Sequence, residues 1–199
     1  MGDSFRQPMY PGGYFHVYNR GNNKERLYHA NHDYDYFLRM YWKYLEKWID
    51  TFAFCLLPNH FHFLVKVKEL DGAAEKASEQ FRRFFISYAQ MINLKYDRSG
   101  SLFRKNFSRL PVETDSNFLN LVSYIHLNPV HHRITSDYKN YPWSSYPLIV
   151  NNTPGFLDRG HFLDRFGSLK EFIRFHEDHQ RLKAFDDGSI EEERDENDE

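Results

Sequence analysis

The segment Thr51–Val67 restricts the fold more than any other part of this chain. An apolar run, Thr51–Leu57, leads through Pro58-Asn59 into the alternating stretch His60–Val67. Strand, tight turn and strand make a hairpin. In its second arm, residues two apart share a face. Phe61, Phe63, Val65 and Val67 therefore point into a core, while His60 and His62 stand side by side on the other face. Two imidazoles at that spacing can share one metal ion, and they can equally be ordinary surface histidines in a chain with 11 of them.

The other elements arrange themselves around this hairpin. Tyr14–Asn19 reads as a first strand, and Asn19–Asn23 as a polar turn. Asp33–Trp48 is expected to be helical, with apolar residues at three-four spacing and Asp33 near the N-cap. Ala73–Leu94 forms a second helix with the stripe Phe81, Phe84, Phe85, Tyr88 and Ile92. Ser108–Val112 is a last strand. A third helix runs over Ser116–Leu127, capped by Thr114 or Asp115 and stopped by Pro129. Strand, helix, strand, strand, helix, strand, helix is an α+β order. It is the ferredoxin-like split βαβ pattern on an antiparallel sheet, with one helix added. Asn151–Gly155 reads as a loop and Leu169–Phe185 as a C-terminal amphipathic helix.

Charge is unevenly placed. The segment 186–199 holds nine acidic residues against Arg194, so the rest of the chain carries +6 although the whole is at −2. That acidic segment reads as disordered. The stretch 82–109 has an excess of +6, from Arg82, Arg83, Lys95, Arg98, Arg104, Lys105 and Arg109 against Asp97. Aromatic residues interleave it, a composition that suits phosphates and unpaired bases as well as a solvated face over a Phe-rich core. No apolar run reaches the length a membrane span requires, so none is expected. The segment Met1–Gly12 does not read as a secretory signal. The lone cysteine, Cys55, falls in an apolar run and reads as a buried small hydrophobe. A cytoplasmic location follows.

On the third helix, Phe118, Leu121, Val122 and Ile125 mark the buried side. Tyr124 and Asn128, four apart, share a face at its edge. A phenol can act as a nucleophile where a cation offsets developing charge, and an asparagine carbonyl can bind that cation. Taken alone, the pair fits a half-buried helix tyrosine and a helix-terminal asparagine just as simply.

Five segments in order change the weighing. They are Phe15–Asn22, Leu57–Val65, Gly100–Phe103, Ser123–Val130 and Tyr141–Tyr146. Together they resemble the single-tyrosine HUH transposases, with their His-hydrophobic-His motif, and in particular the REP-associated tyrosine transposases. The resemblance covers about residues 14–146. It implies a catalytic domain over 1–150; the segment 151–185, read from its own pattern as a helical C-terminal extension, and the acidic tail at 186–199 match no family motif. It implies a metal-dependent enzyme that cleaves and rejoins single-stranded DNA beside short hairpins through a 5′-phosphotyrosine. Tyr124 would be the nucleophile, and His60, His62 and Asn128 would hold Mg²⁺ or Mn²⁺. Tyr88 falls outside the matching helix and reads as packing or DNA contact. Candidate DNA contacts are Asn19, Arg20, Asn22, Arg82, Arg83, Arg104, Lys105 and Arg109. The partners expected are single-stranded or hairpin DNA and no membrane, with the protein a monomer or homodimer associated with the nucleoid. Two rivals remain on residue chemistry. One is a nucleic-acid-binding regulator on the same fold, without cleavage. The other is a metal-dependent hydrolase, which would need carboxylates that are not found near the histidine pair.

Overall fold

The computed structural model describes residues 7–155, 157 and 159–183. The acidic segment 186–199, and the end of the last helix at Phe185, lie outside the described residues. Four strands, β1 (Tyr14–Arg20), β2 (Ile49–Leu57), β3 (His60–Val67) and β4 (Ser108–Pro111), form one antiparallel sheet in the order β2-β3-β1-β4. Helices α1 (Asn31–Leu45) and α2 (Ala73–Lys95) join β1 to β2 and β3 to β4. This is the split βαβ arrangement. Four further helices follow: α3 (Asp115–His131), α4 (Ser145–Val150), α5 (Arg159–Phe166) and α6 (Leu169–Lys183). Of these, α4 and α5 were not expected from the sequence. Among the described residues no helix is long and apolar enough to cross a membrane.

The alternation along β3 sorts its side chains into two cores. Phe61, Phe63, Val65 and Val67 meet Phe37 and Tyr41 of α1 and Phe81, Phe84, Phe85 and Tyr88 of α2. On the other face Leu64 joins Ala53, Cys55 and Leu57 of β2 under Phe118, Val122 and Ile125 of α3, with Tyr146, Phe162 and Phe172 behind them. A bulge between Thr51 and Ala53 turns both Phe52 and Ala53 to this second core. The apolar run of β2 is thus the mark of a strand covered on both faces. Cys55 is buried there, as expected. Tyr88 is fully buried, and its hydroxyl donates to the Leu27 carbonyl (2.8 Å), which makes it a packing residue.

Asp33 sits in the first turn of α1 and accepts from the N–H groups of His29 (2.9 Å) and Ala30 (3.0 Å). It also binds Tyr96 Oη (2.7 Å) and Lys95 at the end of α2. Burial alone would raise its carboxyl pKa, but these four hydrogen bonds outweigh burial and hold it at about 2. A carboxylate depressed in the folded state stabilises fully above its unfolded pKa of about 3.9, and the contribution fades as pH falls toward the folded value. Asp33→Asn is expected to cost about 1–2 kcal/mol at pH 7, less than full linkage because Lys95 is partly open to water. In urea titrations the gap between wild type and variant should close between about pH 4 and pH 2. A gap independent of pH would rule out the ionic account.

The third helix corrects an expectation. It runs through Pro129 to His131 and does not stop there. Proline removes the bond its own N–H would make to residue 125, but it leaves later donors intact. His132 N–H still reaches the Asn128 carbonyl (3.0 Å). Thr114 is the cap, with its hydroxyl accepting from Asn117 N–H (3.1 Å).

Candidate active site

The second face of the sheet is covered unevenly. Helix α3 lies over β2 and β3, whereas the side chains of β1 on this face, His16, Tyr18 and Arg20, are only half-buried. The register sets Tyr18 opposite His62 and Arg20 opposite His60. His60 and His62 are 6% and 3% exposed, so the face that carries them is buried as well. Their ring centroids are 5.3 Å apart and nearly perpendicular. Tyr124, half-buried on α3, sets its ring edge-on to His62 at 5.6 Å and to His16 at 6.3 Å. Nucleophile candidate and histidine pair thus meet within one chain.

Hydrogen bonds fix the orientation of these groups. An amide oxygen can only accept a hydrogen bond. His60 therefore donates from Nδ1 to Asn59 Oδ1 at 2.7 Å and keeps its lone pair on Nε2. Asn128 donates from Nδ2 to the Tyr124 carbonyl (3.3 Å), which leaves Oδ1 on the other side of the amide. Burial first, and then nearby His132 and Arg20, depress the His60 pKa to about 3, against a smaller opposing effect of Asn128. Burial, followed by His16 and His60, likewise holds His62 well below its ordinary value. Both rings are therefore neutral at pH 7, the form that binds metal.

The fit to a cation rests on two buried atoms. His60 Nε2 and Asn128 Oδ1 make no hydrogen bond of ordinary geometry among the described residues, although the Asn128 side chain is near enough to the His60 ring to act on its pKa. A buried acceptor left unmade costs about 1–3 kcal/mol, so such atoms call for an explanation. A divalent ion held by His60, His62 and Asn128 would supply one. Among the described residues no three His, Cys, Asp or Glu side chains group as ligands, so a donor of another kind, such as the Asn128 amide oxygen, would have to complete the set. Two imidazoles and a carbonyl suit Mn²⁺; Mg²⁺ prefers oxygen and would keep several waters.

A second group of histidines lies behind α3. His176 on α6 donates from Nδ1 to the Phe172 carbonyl (2.8 Å), so its Nε2 must accept. His126 then donates from Nδ1 to His176 Nε2 (2.9 Å), and the Ser145 hydroxyl donates to His126 Nε2 (2.7 Å). Ser145 in turn accepts from Phe54 N–H of β2 (2.8 Å). Burial holds His126 well below its ordinary pKa and His176 at about 4, so both rings are neutral.

The candidate DNA contacts separate into different surfaces. Arg20 and Asn22 lie at the His60 end of the sheet. Residues 102–104 run beside them, with Asn22 N–H on the Leu102 carbonyl (2.9 Å) and Arg104 N–H on the Arg20 carbonyl (3.0 Å). Arg104 and exposed Lys105 therefore belong to that end. Gly21 lets the chain turn tightly back toward Glu25 here, because a Cβ there would lie 2.0 Å from the Glu25 carbonyl oxygen. Asn19 is 7% exposed and braces the same turn, accepting from Arg20 N–H (2.8 Å) and donating to the Arg104 carbonyl (3.4 Å). Arg82 and Arg83 are on α2, across the sheet from the histidines, and Arg83 pairs with Glu79 (2.6 Å). Arg109 pairs with Val17 in the register and lies on that far face too, bonded to the Gln7 carbonyl (2.7 Å). Sequence reasoning did not single out His16, Asn59, His126 or His176. His16 was within reach of it, since His16, Tyr18 and Arg20 alternate with buried Phe15 and Val17.

Comparison with known proteins agrees with the resemblance in the motifs. The chain is 30% identical over 104 residues to a Haemophilus influenzae protein named "Putative REP-associated tyrosine transposase". The chain is similar to REP-associated tyrosine transposases. The match takes in 49% of this chain and 58% of the relative, so the chain spans a little over half of that protein's length. A solved REP-associated tyrosine transposase, described as bound to a REP hairpin, superposes with a TM-score of 0.62 at 20% identity. That superposition covers 76% of this chain and 86% of the other, and it establishes the shared fold. No protein-family model matches the chain.

Proposed function

We propose that this protein is a metal-dependent transposase that cleaves and rejoins single-stranded DNA beside short hairpins, with Tyr124 as nucleophile. The observation that carries the reading is the pair of unbonded buried acceptors, His60 Nε2 and Asn128 Oδ1, on the strand and helix that also bring Tyr124 against His62. The relatives named above support the DNA-hairpin substrate. A divalent cation held by His60, His62 and Asn128 would offset negative charge on an oxygen of the scissile phosphate. Tyr124 Oη loses its proton and forms a bond to phosphorus. The bond from phosphorus to the 3′-oxygen breaks, and that oxygen leaves as a 3′-hydroxyl. A 5′-phosphotyrosine remains, and attack by another 3′-hydroxyl reverses the step. One phosphoester replaces another, so rejoining needs no further energy source. Arg20, Arg104 and Lys105, at the histidine end of the sheet, would meet the DNA backbone.

The test uses end-labelled single-stranded hairpins with randomised flanks, Mn²⁺ and a denaturing gel. A slower covalent band is expected, lost with EDTA and reduced at least about 100-fold in His60→Ala. Cleavage with no adduct would point to a hydrolase. Tight binding with neither would point to a regulator.

A further inference from the structure

The His60 ring is held by Asn59, and its neighbour is held by a residue on another strand. His62 Nδ1 lies 2.9 Å from His16 Nε2, across the β1–β3 pairing. The two rings are nearly parallel, 21° apart at 5.1 Å. Tyr18 stacks on both, at 4.7 Å from His16 and 5.7 Å from His62. We infer that His16 is a positioning residue for the metal site: by accepting the Nδ1 proton of His62 it fixes the tautomer that presents the Nε2 lone pair to the cation. This rests on the metal reading proposed above.

The argument is one of proton count. A neutral imidazole has one N–H and one lone pair. If Nε2 of His62 is the ligand, Nδ1 carries the proton and needs an acceptor. Metal-bound histidines are oriented and made more basic in this way, most often by a carboxylate or a carbonyl. Here the acceptor is a second imidazole, which must itself be neutral and protonated at Nδ1. The Tyr18 stack keeps both rings from turning. Each histidine of the pair then has its own orienting partner, Asn59 for His60 and His16 for His62.

The experiment is an electron paramagnetic resonance titration of the metal-free, full-length protein with Mn²⁺ in the absence of DNA. Wild type should bind Mn²⁺ at a site that His60→Ala abolishes. His16→Leu should weaken binding by about 10–100-fold, while His16→Gln, whose Oε1 still accepts, should stay within about threefold of wild type. Melting of the metal-free variants shows that each is folded. Equal affinity in wild type and His16→Leu would overturn the inference and leave the metal site standing. Equal losses in both variants would overturn it too, since the ring and not its hydrogen bond would then matter. Unchanged affinity with slower adduct formation would assign His16 to Tyr124 instead. If no Mn²⁺ binding depends on His60, this inference and the metal reading fall together.

Discussion

Tyr124→Phe is expected to reduce covalent adduct formation by about 10³-fold or more, to below detection on a denaturing gel. The substitution removes one oxygen and keeps the ring that meets His62, His16 and His131 at 5.6, 6.3 and 6.1 Å. Helix α3 and the histidine pair should therefore stay in place. Hairpin affinity should remain within about threefold and the melting temperature within about 2 °C, because surface-edge truncations of this kind seldom exceed about 0.5 kcal/mol in either direction. No other tyrosine is an obvious substitute on α2, where Tyr88 is closed off with its hydroxyl on the Leu27 carbonyl. The measurement is single-turnover adduct formation beside an equilibrium binding assay. An adduct formed at the wild-type rate by the phenylalanine variant would end Tyr124's candidacy as nucleophile, whatever the metal does.

Phe37→Ala should have the largest effect on stability. Phe37 is fully buried where α1, α2 and β3 meet. Its ring lies 4.7 Å from Phe84, 4.8 Å from Tyr88, and 5.2 Å from both Phe61 and Tyr28. Deleting such a ring loses its transfer free energy and leaves a cavity among neighbours that are rigid aromatics, so little collapse can refill it. A loss of about 3–5 kcal/mol is expected, with a fall in melting temperature of roughly 6–20 °C. Phe37 lies across the sheet from His60 and His62, so at low temperature the folded fraction should form adduct at the normal rate. A loss below about 1 kcal/mol in urea titrations would mean that the first core repacks far more freely than rings are expected to.

The strand His60–Val67 was legible to the residue, because a period of two with aromatic and β-branched residues leaves little choice. The first two helices were legible from apolar residues at three-four spacing and the hairpin from its two runs and turn, and the edges moved by only a few residues. The burial of His60 and His62 was not. A polar residue on the second face of a strand looks solvent-facing until it is known that a helix far along the chain, α3, covers that face. Pro129 misled because the rule for stopping a helix concerns one hydrogen bond, and α3 tolerates its loss. The basic stretch misled differently. Arg82, Arg83 and Arg109 are close in sequence to Arg104 and Lys105, yet β4 and α2 carry them to the other side of the sheet. Charge adjacent along a chain is not charge adjacent in space. Of the candidate site, the proposed ligands and nucleophile were suggested by motif, whereas the hydrogen-bond partners Asn59 and His16 emerge only from strand register and turn geometry.

The buried chain from Phe54 through Ser145, His126 and His176 to Phe172 bears on where this protein can be cut. Each imidazole in it has one donor and one acceptor in use, so the protons have a single order. A chain ended at residue 150 would leave His126, which lies midway between Tyr124 and Asn128 on α3, with a donor aimed at nothing, in a pocket stripped of Phe162 and Phe172. The last helix thus acts as a splint for the helix that carries Tyr124 and Asn128, the proposed nucleophile and ligand. A minimal fragment that follows the sequence motifs and stops where they stop would omit the splint.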